Sequence, residues 1–282
     1  MSHNRSPHMV MLAFLLLTAL SFELVHSRRS AASEAPKEGA PRTPVLVELF
    51  TSEGCSSCPP ADVLLGQLDR FQPVPAAELI VLSEHVDYWD DIGWKDPYSS
   101  HQFGLRQSDY ARRFRLDGPY TPQMIVDGDA QLVGSDERGA FRAIGNAVKL
   151  AKLPVSLSAH HVQGDKSLLV HVDVKPIGSL SGHKSGQVLV ALADDSDQSS
   201  VRRGENAGRT LKHVAVVRTL TSVGTIDDSG AFSKDVTVST GEANLQNLRV
   251  VAFVQDGTSG RVLGVGTTRL SSKPLPTNRG NT

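Results

Sequence analysis

Residues 50–60 read Phe50-Thr51-Ser52-Glu53-Gly54-Cys55-Ser56-Ser57-Cys58-Pro59-Pro60, and they contain both cysteines of the 282-residue chain. An apolar run leads into this segment and a run with helical apolar spacing follows it. The pattern predicts a strand, a Cys-x-x-Cys loop and a helix, in that order. A thiol in the first turn of a helix faces unpaired backbone N–H groups and the positive end of the helix dipole, which favours the thiolate. This arrangement indicates a redox-active dithiol.

Two other interpretations of the cysteine pair remain open. Cys-x-x-Cys can be half of a zinc site, although the chain has no second cysteine pair and histidines would have to complete the site. It can also be a structural bridge, although closing a four-residue loop removes little entropy from the unfolded chain.

The first residues differ from the rest of the chain and predict export. An apolar run at 10–20 is preceded by Arg5 and followed by the small residues Ser27, Ala31 and Ala32. This is the pattern of a signal peptide, which we place at residues 1–27 and follow with a linker at 28–43. A buried helix or an uncleaved anchor is the alternative. The net charge of −1 gives no reason to expect nucleic-acid binding.

Two fold types are expected after the linker. Residues 44–152 alternate strands and helices in the order of a thioredoxin-like α/β domain, with strands at 45–50, 78–83, 124–128 and 130–133 and helices at 60–71, 108–114 and 137–150. Residues 153–270 show seven short runs typical of an all-β, immunoglobulin-like sandwich. The strands of that domain are expected at 155–162, 167–174, 187–193, 212–221, 232–238, 248–255 and 261–268. The tail at 271–282 is expected to be disordered.

Three further residues are candidates for the chemistry of the dithiol. Thr121-Pro122 precedes a predicted strand, in the slot where thioredoxin folds place a cis proline. We predict a cis Thr121–Pro122 bond within van der Waals reach of the Cys55 and Cys58 sulfurs, with an ordinary trans proline as the alternative. A cis bond would expose the backbone of Thr121 to an extended partner peptide. Glu48 lies in the strand that leads to Cys55. If it is buried beneath the dithiol, it could relay a proton to Cys58, but strand alternation makes the opposite face equally possible.

An aromatic and acidic segment at 84–98 is a candidate binding surface. It follows the second predicted strand and could line a groove over the disulfide. His85 could also join the two cysteines around copper or zinc, and a structured loop capped by aromatics is the plain alternative. The binding candidates are His85, Asp87, Tyr88, Trp89 and Tyr120.

The chain resembles a family of exported, largely bacterial proteins. The resemblance rests on residues 48–62, His85-Val86-Asp87-Tyr88-Trp89, Tyr120-Thr121-Pro122-Gln123 and Arg203-Gly204-Glu205-Asn206. It is similar to the secreted thioredoxin-like proteins catalogued as domain of unknown function 1223, over essentially everything after the linker. The resemblance implies a thioredoxin-like fold and export, and it supplies no established activity.

These observations favour a periplasmic or extracellular thiol–disulfide oxidoreductase that needs no cofactor or metal. Cys55 would attack, Cys58 would resolve the mixed disulfide, and Thr121-Pro122 would hold the substrate. Its partners would be the thiols or disulfides of other exported proteins, because the chain has no further cysteine to exchange with. The alternatives are an envelope binding module with a structural disulfide and a copper-handling protein that uses both cysteines and His85.

Overall fold

The computed structural model of the chain describes residues 41–162, 165–178 and 186–270. The predicted signal peptide, residues 28–40 of the predicted linker and the predicted tail lie outside these ranges. Within them, no helix has the length and apolar character needed to cross a membrane. The elements in chain order are β1 Thr43–Thr51, α1 Pro59–Phe71, β2 Ala77–His85, α2 His101–Arg113, β3 Gln123–Val126, β4 Ala130–Val133, α3 Glu137–Ala147, β5 Val155–His161, β6 Ser167–Val174, β7 Gly186–Ser200, β8 Thr210–Thr225, β9 Phe232–Ser239, β10 Leu248–Asp256 and β11 Val262–Arg269.

One mixed sheet runs through both halves of the chain. Its eight strands have the order β11-β10-β7-β8-β2-β1-β3-β4. β1 and β2 pair in parallel from Thr43↔Ala77 to Thr51↔His85. β8 lies beside β2, in parallel, through the bridge Ser83↔Val216. Four of the seven strands that we predicted for a second domain therefore extend the sheet of the first.

The predicted fold class is wrong for this reason. A thioredoxin-like α/β domain followed by a separate immunoglobulin-like sandwich would need one sheet for the first domain and two more for the sandwich, with no strand and no core shared between the domains. Instead, a single core cluster joins β1 and β2 side chains to Leu189 of β7, Val217 of β8 and Phe253 of β10. The seven predicted C-terminal strands do form, but four of them, β7, β8, β10 and β11, belong to the shared sheet.

A second, smaller sheet covers part of the large one. It has three antiparallel strands in the order β5-β6-β9. Alternation along β7 supplies both cores, because Val188, Val190 and Leu192 belong to the cluster with β6, whereas Leu189 and Ala191 belong to the cluster with β1. β7 is therefore buried on both faces from Val188 to Asp194.

The helices α1 and α2 lie on opposite faces of β1. Glu48 and Phe50 contact Tyr110 of α2, with the two aromatic ring centroids 5.9 Å apart. Thr51, which points the other way, donates a hydrogen bond to Asp62 of α1. Strand alternation thus separates the side chains around α1, which carries the cysteine loop, from those around α2.

Candidate functional site

Cys55 and Cys58 form a disulfide at the N-terminus of α1. Cys58 caps the helix, and its carbonyl accepts hydrogen bonds from the backbone N–H groups of Ala61 (2.8 Å) and Asp62 (3.1 Å). Prolines at 59 and 60 fit there, because the first helical positions need no N–H donor within the helix. Both cysteines are 0% exposed, whereas Ser56 and Ser57 between them are exposed. Any exchange partner must therefore displace part of the loop to reach a sulfur.

The loop that joins β7 to β8, residues 201–209, holds the cysteine loop in place. The Asn206 side-chain amide is buried and donates to the carbonyl oxygens of Glu53 (2.8 Å) and Cys55 (2.9 Å). The Glu205 carboxylate accepts the Ser56 N–H at 2.9 Å. Arg209 donates to the Asn206 side-chain oxygen at 2.8 Å. The charged segment 202–209 therefore binds within its own chain, around the disulfide.

Replacing Asn206 with Ala should destabilise the protein by about 1–3 kcal/mol, because two backbone carbonyls near Cys55 lose their amide donor. The measurement is the urea midpoint of purified variants, with Asn146→Ala, an exposed asparagine on α3, as the control. We also expect the disulfide of the Asn206 variant to react faster with a water-soluble phosphine. Unchanged stability and unchanged reduction would contradict this role.

A cluster of buried ionisable side chains lies behind the cysteine loop. It is centred on Glu53, which is 0% exposed, and we call it the Glu53 cluster. The Glu53 carboxylate accepts hydrogen bonds from Trp94 Nε1 at 2.8 Å and from the Ser199 hydroxyl. Its other members come from α1, β2, the loop after β2 and β8: Asp62, His85, Asp96 and His213.

His213 connects two of the three carboxylates of this cluster, Glu53 and Asp62. Its Nε2 lies 3.1 Å from Glu53 Oε1 and its Nδ1 lies 3.9 Å from Asp62 Oδ1. Burial alone lowers the pKa of His213, but the hydrogen bonds and charges of Asp62 and Glu53 outweigh it and raise that pKa to about 10. His213 therefore carries a proton at neutral pH, and its positive charge offsets the charges of Asp62 and Glu53 behind the disulfide.

His85 belongs to the same buried cluster. Its ring is fully buried, its Nδ1 is 2.7 Å from Asp96 Oδ2, and its centroid is 4.7 Å from that of His213. Asp96 also accepts the Glu53 backbone N–H at 2.8 Å. Although burial raises the pKa of Asp96, the charge and hydrogen bond of His85 and two backbone donors lower it overall. His85 thus supports the loop from behind and does not line an exposed groove.

The other predicted binding residues lie outside the Glu53 cluster and are half-buried or exposed. Trp89 Nε1 donates to the Thr121 hydroxyl at 2.8 Å, and Tyr88 donates to Gln107 at 3.0 Å. Burial raises the pKa of Tyr88 to about 12. Tyr120 donates to Gln131 at 2.7 Å, while the Asp87 carboxylate is 2.9 Å from Nδ1 of the exposed His101. Trp89 and Thr121 therefore sit together, and Asp87 faces α2.

The Thr121–Pro122 bond is cis, which confirms that prediction. Antiparallel pairing of Phe50 with Gln123 places Pro122 at the sheet edge where β1 enters the cysteine loop. Gly134 is enclosed there, since a Cβ on it would lie within 2.8–3.0 Å of Leu49, Pro122 and Ala61 atoms. Pro122 thus lies close to the first turn of α1, and its direct contact with the sulfurs stays a prediction.

Glu48 is placed on the sheet face opposite α1. It is fully buried, receives hydrogen bonds from Arg106 and Tyr110, and shares Arg106 with Glu84, whose nearest oxygen is 3.5 Å from the guanidinium. Strand alternation allowed Glu48 to lie on either face of the sheet, and its side chain lies on the face away from the cysteine loop. The hypothesis that Glu48 relays a proton to Cys58 is therefore not retained.

Five contributors to the site were given no role at the disulfide from the sequence. They are Asp62, Trp94, Asp96, Asn206 and His213, which lie up to 158 positions from Cys55 in the chain. Asp62 and Asn206 belong to the motifs that carry the family resemblance, and Trp94 and Asp96 to the predicted binding segment 84–98, but none of these signals showed contact with the cysteine loop. Among the described residues, no group of three or more His, Cys, Asp or Glu side chains is arranged to hold a metal ion, so the copper interpretation gains no support here.

Comparisons with known proteins give one family and two solved structures of similar fold. No curated protein matches the chain. A crystal structure of a protein from Agrobacterium tumefaciens is similar with a TM-score of 0.63 and 26% identity, covering 85% of this chain and all of that one. HBP35 of Porphyromonas gingivalis shares the fold, with a TM-score of 0.58, 15% identity and coverage of 87% and 80% of the two chains. A family model matches residues 46–255, and the chain therefore belongs to the family described as protein of unknown function (DUF1223).

Proposed function

We propose that the protein is a thiol–disulfide oxidoreductase that works on exported proteins through Cys55 and Cys58. The observation that carries the proposal is the closed disulfide at the N-terminus of α1. Helix N–H groups and the helix dipole stabilise a thiolate at this position, which makes it a better nucleophile and leaving group. The pattern at residues 1–27 supports export, which in turn gives access to protein disulfides.

The proposed exchange has two steps. The Cys55 thiolate attacks one sulfur of a partner disulfide, the partner S–S bond breaks, and the other partner sulfur leaves as a thiolate. The Cys58 thiolate then attacks Cys55, releases the second partner thiolate and closes the Cys55–Cys58 disulfide. Two electrons pass to the partner, and the reverse sequence oxidises a partner dithiol. In this proposal Thr121 contacts the partner backbone, and the pairing of Gln123 with Phe50 near the cysteine loop supports that role.

The test is a redox titration of the purified protein in glutathione buffers, with the Cys55–Cys58 state read by mass after alkylation. We expect a reduction potential above about −300 mV, together with exchange between the protein and a reduced or scrambled disulfide-containing substrate protein. A Cys55→Ser, Cys58→Ser variant is the control and should show no exchange. A potential well below that value, with no exchange, would overturn the proposal.

The burial of the disulfide favours a second candidate, a binding module in which the disulfide is structural. Both cysteines are completely buried, and Asn206 and Glu205 hold the loop from outside. In that case the disulfide fixes the cysteine loop against residues 201–209. A partner is then recognised by the aromatic side chains of Tyr88, Trp89 and Tyr120. The same titration separates the two candidates, since an inert bridge with a very low potential supports the module.

A further inference from the structure

Loop 201–209 meets the cysteine loop and its surroundings through consecutive residues. Gly204 packs against Trp94, since a Cβ on Gly204 would lie 3.2 Å from the Trp94 Cβ. The next residue, Glu205, accepts the Ser56 N–H at 2.9 Å. Its side chain is exposed, whereas the asparagine that follows it is buried. The Glu205 carboxylate is therefore the contact of this loop that solvent can replace most easily.

The Glu205 carboxylate lies close to the Cys55 sulfur. Ser56 directly follows Cys55, and bond lengths limit the distance from the Cys55 sulfur to the Ser56 nitrogen to about 5 Å. With the 2.9 Å hydrogen bond added, the carboxylate oxygen lies within about 8 Å of the sulfur, which is one Debye length at physiological ionic strength. Hydrogen bonds from the Ser56 hydroxyl and N–H lower the pKa of Glu205, so the carboxylate is charged at neutral pH.

Reduction changes the charge on Cys55 but not the charge on Glu205. In the disulfide the Cys55 sulfur is neutral, and the carboxylate is favoured near the positive end of α1. When the bond opens, the position of Cys55 at this helix end favours its thiolate. The Ser57 hydroxyl, 3.3 Å from the Cys55 sulfur, can donate a hydrogen bond to that thiolate. The thiolate and the Glu205 carboxylate then repel each other at one helix N-terminus.

We propose that Glu205 is a redox-dependent latch, which holds loop 201–209 against the cysteine loop while the disulfide is closed and is displaced by the Cys55 thiolate on reduction. The inference deepens the proposed function by naming what controls access to Cys55, and its biological role rests on that function. Both cysteines are completely buried in the oxidised protein. Release of the loop removes contacts over Cys55 in the redox state in which this residue attacks a partner. Closing the bond removes the negative charge, and Glu205 returns.

The buried charges behind the dithiol are compensated, and Glu205 is not. Glu53 is buried, and the protonated His213, 3.1 Å away, offsets its charge. Asp96, which accepts the Glu53 N–H, lies 2.7 Å from His85. Glu205 differs from both carboxylates, because it is exposed and pairs with no basic side chain in the part of the chain that the structure describes. Its contact with the cysteine loop therefore responds most directly to a new charge on the sulfur.

The test is amide hydrogen exchange of residues 201–209, measured by mass spectrometry at pH 8 with the disulfide closed or reduced by a water-soluble phosphine. The phosphine takes the oxygen of one water molecule, and the two sulfurs take its two hydrogens, after which Cys55 ionises. We expect exchange in the reduced protein to be about two- to fivefold faster, the size of effect that exposed charge pairs produce. Sodium chloride at about 1 M should remove most of the difference, because the Debye length falls to about 3 Å.

Two variants separate the charge from the bond. Glu205→Gln keeps an oxygen that can accept the Ser56 N–H but carries no charge, so reduction should change its exchange by less than about 1.5-fold. A Cys55→Ser, Cys58→Ser variant has neither the bond nor a thiolate, and it should keep the slow exchange of the oxidised protein. Glu242→Gln removes a carboxylate whose side chain is 87% exposed and should behave like the unmodified protein.

The same coupling must act on the disulfide, because a coupling free energy is reciprocal. In a glutathione buffer of fixed composition, Glu205→Gln should raise the ratio of reduced to oxidised protein by about two- to fivefold. Glu205→Asp, which keeps the charge, should stay close to the unmodified protein. A role of Glu205 in stability alone would not move this ratio.

The outcomes separate the latch from the proposed function. If the serine variant exchanges as fast as the reduced protein, the bond rather than the charge holds loop 201–209, and the latch is wrong. It is also wrong if reduction leaves the exchange of the unmodified protein unchanged. The oxidoreductase proposal stands in both cases, whereas the latch can hold in a protein that never exchanges with protein thiols, because the phosphine needs no docking surface. If Glu205→Gln does not fold, the salt dependence and the serine variant decide the question.

Discussion

A chain that ends at Lys152 should not fold on its own. It would keep β1 to β4 and all three helices, but β2 would become an edge strand and lose its neighbour β8. The core beside β1 and β2 would also lose buried side chains that come from beyond residue 152. These are Leu189, Ala191, Ala193, Ala215, Val217, Leu220, Val251, Phe253, Val262 and Val265.

The loss exceeds what a small domain can tolerate. Each large apolar side chain among those residues contributes about 1.5–3 kcal/mol by burial, and a domain has only about 5–15 kcal/mol of net stability. The site would also lose three of its supports, namely Ser199, Asn206 and His213. We therefore expect residues 41–152 to show no cooperative transition in urea and no near-ultraviolet circular dichroism.

The control for this experiment is residues 41–270, which retain every described strand and should unfold in one cooperative step. Mixing residues 41–152 with 153–270 should restore part of the native signal, because the shared sheet can then form. A fragment 41–152 that unfolds cooperatively near the urea midpoint of the control would mean that the N-terminal half is an independent domain.

Local sequence patterns predicted the elements but not which strands are neighbours. The alternation at 212–221 identifies β8 as a strand, yet nothing in those residues shows that it pairs with β2 rather than only with its hairpin partner β7. Tertiary context also extended β7 and β8 to 15 and 16 residues, beyond their apolar segments. Pairing of distant strands depends on the whole core, and periodicity carries no information about it.

In the candidate site, too, features with a local sequence pattern could be predicted, and contacts between distant parts of the chain could not. Cys55, Cys58 and the cis Thr121–Pro122 bond could be predicted because each has a local signature in the chain. Asn206 could not, because its role is to donate to two carbonyls about 150 positions earlier. Glu48 shows the limit of alternation, which defines two faces but cannot choose between them.

The choice of face for Glu48 is explained by Arg106 on α2. This guanidinium is 12% exposed and donates to Glu48 at 2.8 and 2.5 Å and to Gln255 at 3.0 Å. Burial raises the pKa of Glu84 well above its usual range, and the neighbouring Glu48 charge raises it further, whereas Arg106 opposes both effects. One cation therefore holds two buried carboxyl groups in the middle of the shared sheet.

Replacing Arg106 with Met should cost about 3–5 kcal/mol of unfolding free energy, because Glu48 and Glu84 would stay buried without their cation. The loss should be larger at pH 8 than at pH 5. Arg106 lowers the pKa of Glu84, so without it the folded-state pKa of Glu84, which burial already raises, lies further above the unfolded value. Stability from the protonated Glu84 is then present at low pH and is lost as pH rises through the folded-state pKa.

Urea unfolding at pH 5 and pH 8 checks this expectation. Arg112→Met, on the same helix with 72% of its side chain exposed, should change stability by less than about 1 kcal/mol at either pH. Adding Glu48→Gln to Arg106→Met should recover part of the loss, and mainly at pH 8, since it removes one of the two buried charges. An Arg106 variant as stable as the Arg112 control would show that Glu48 and Glu84 do not need this cation, and that the packing around Phe50 and Phe253 alone fixes the face on which Glu48 lies.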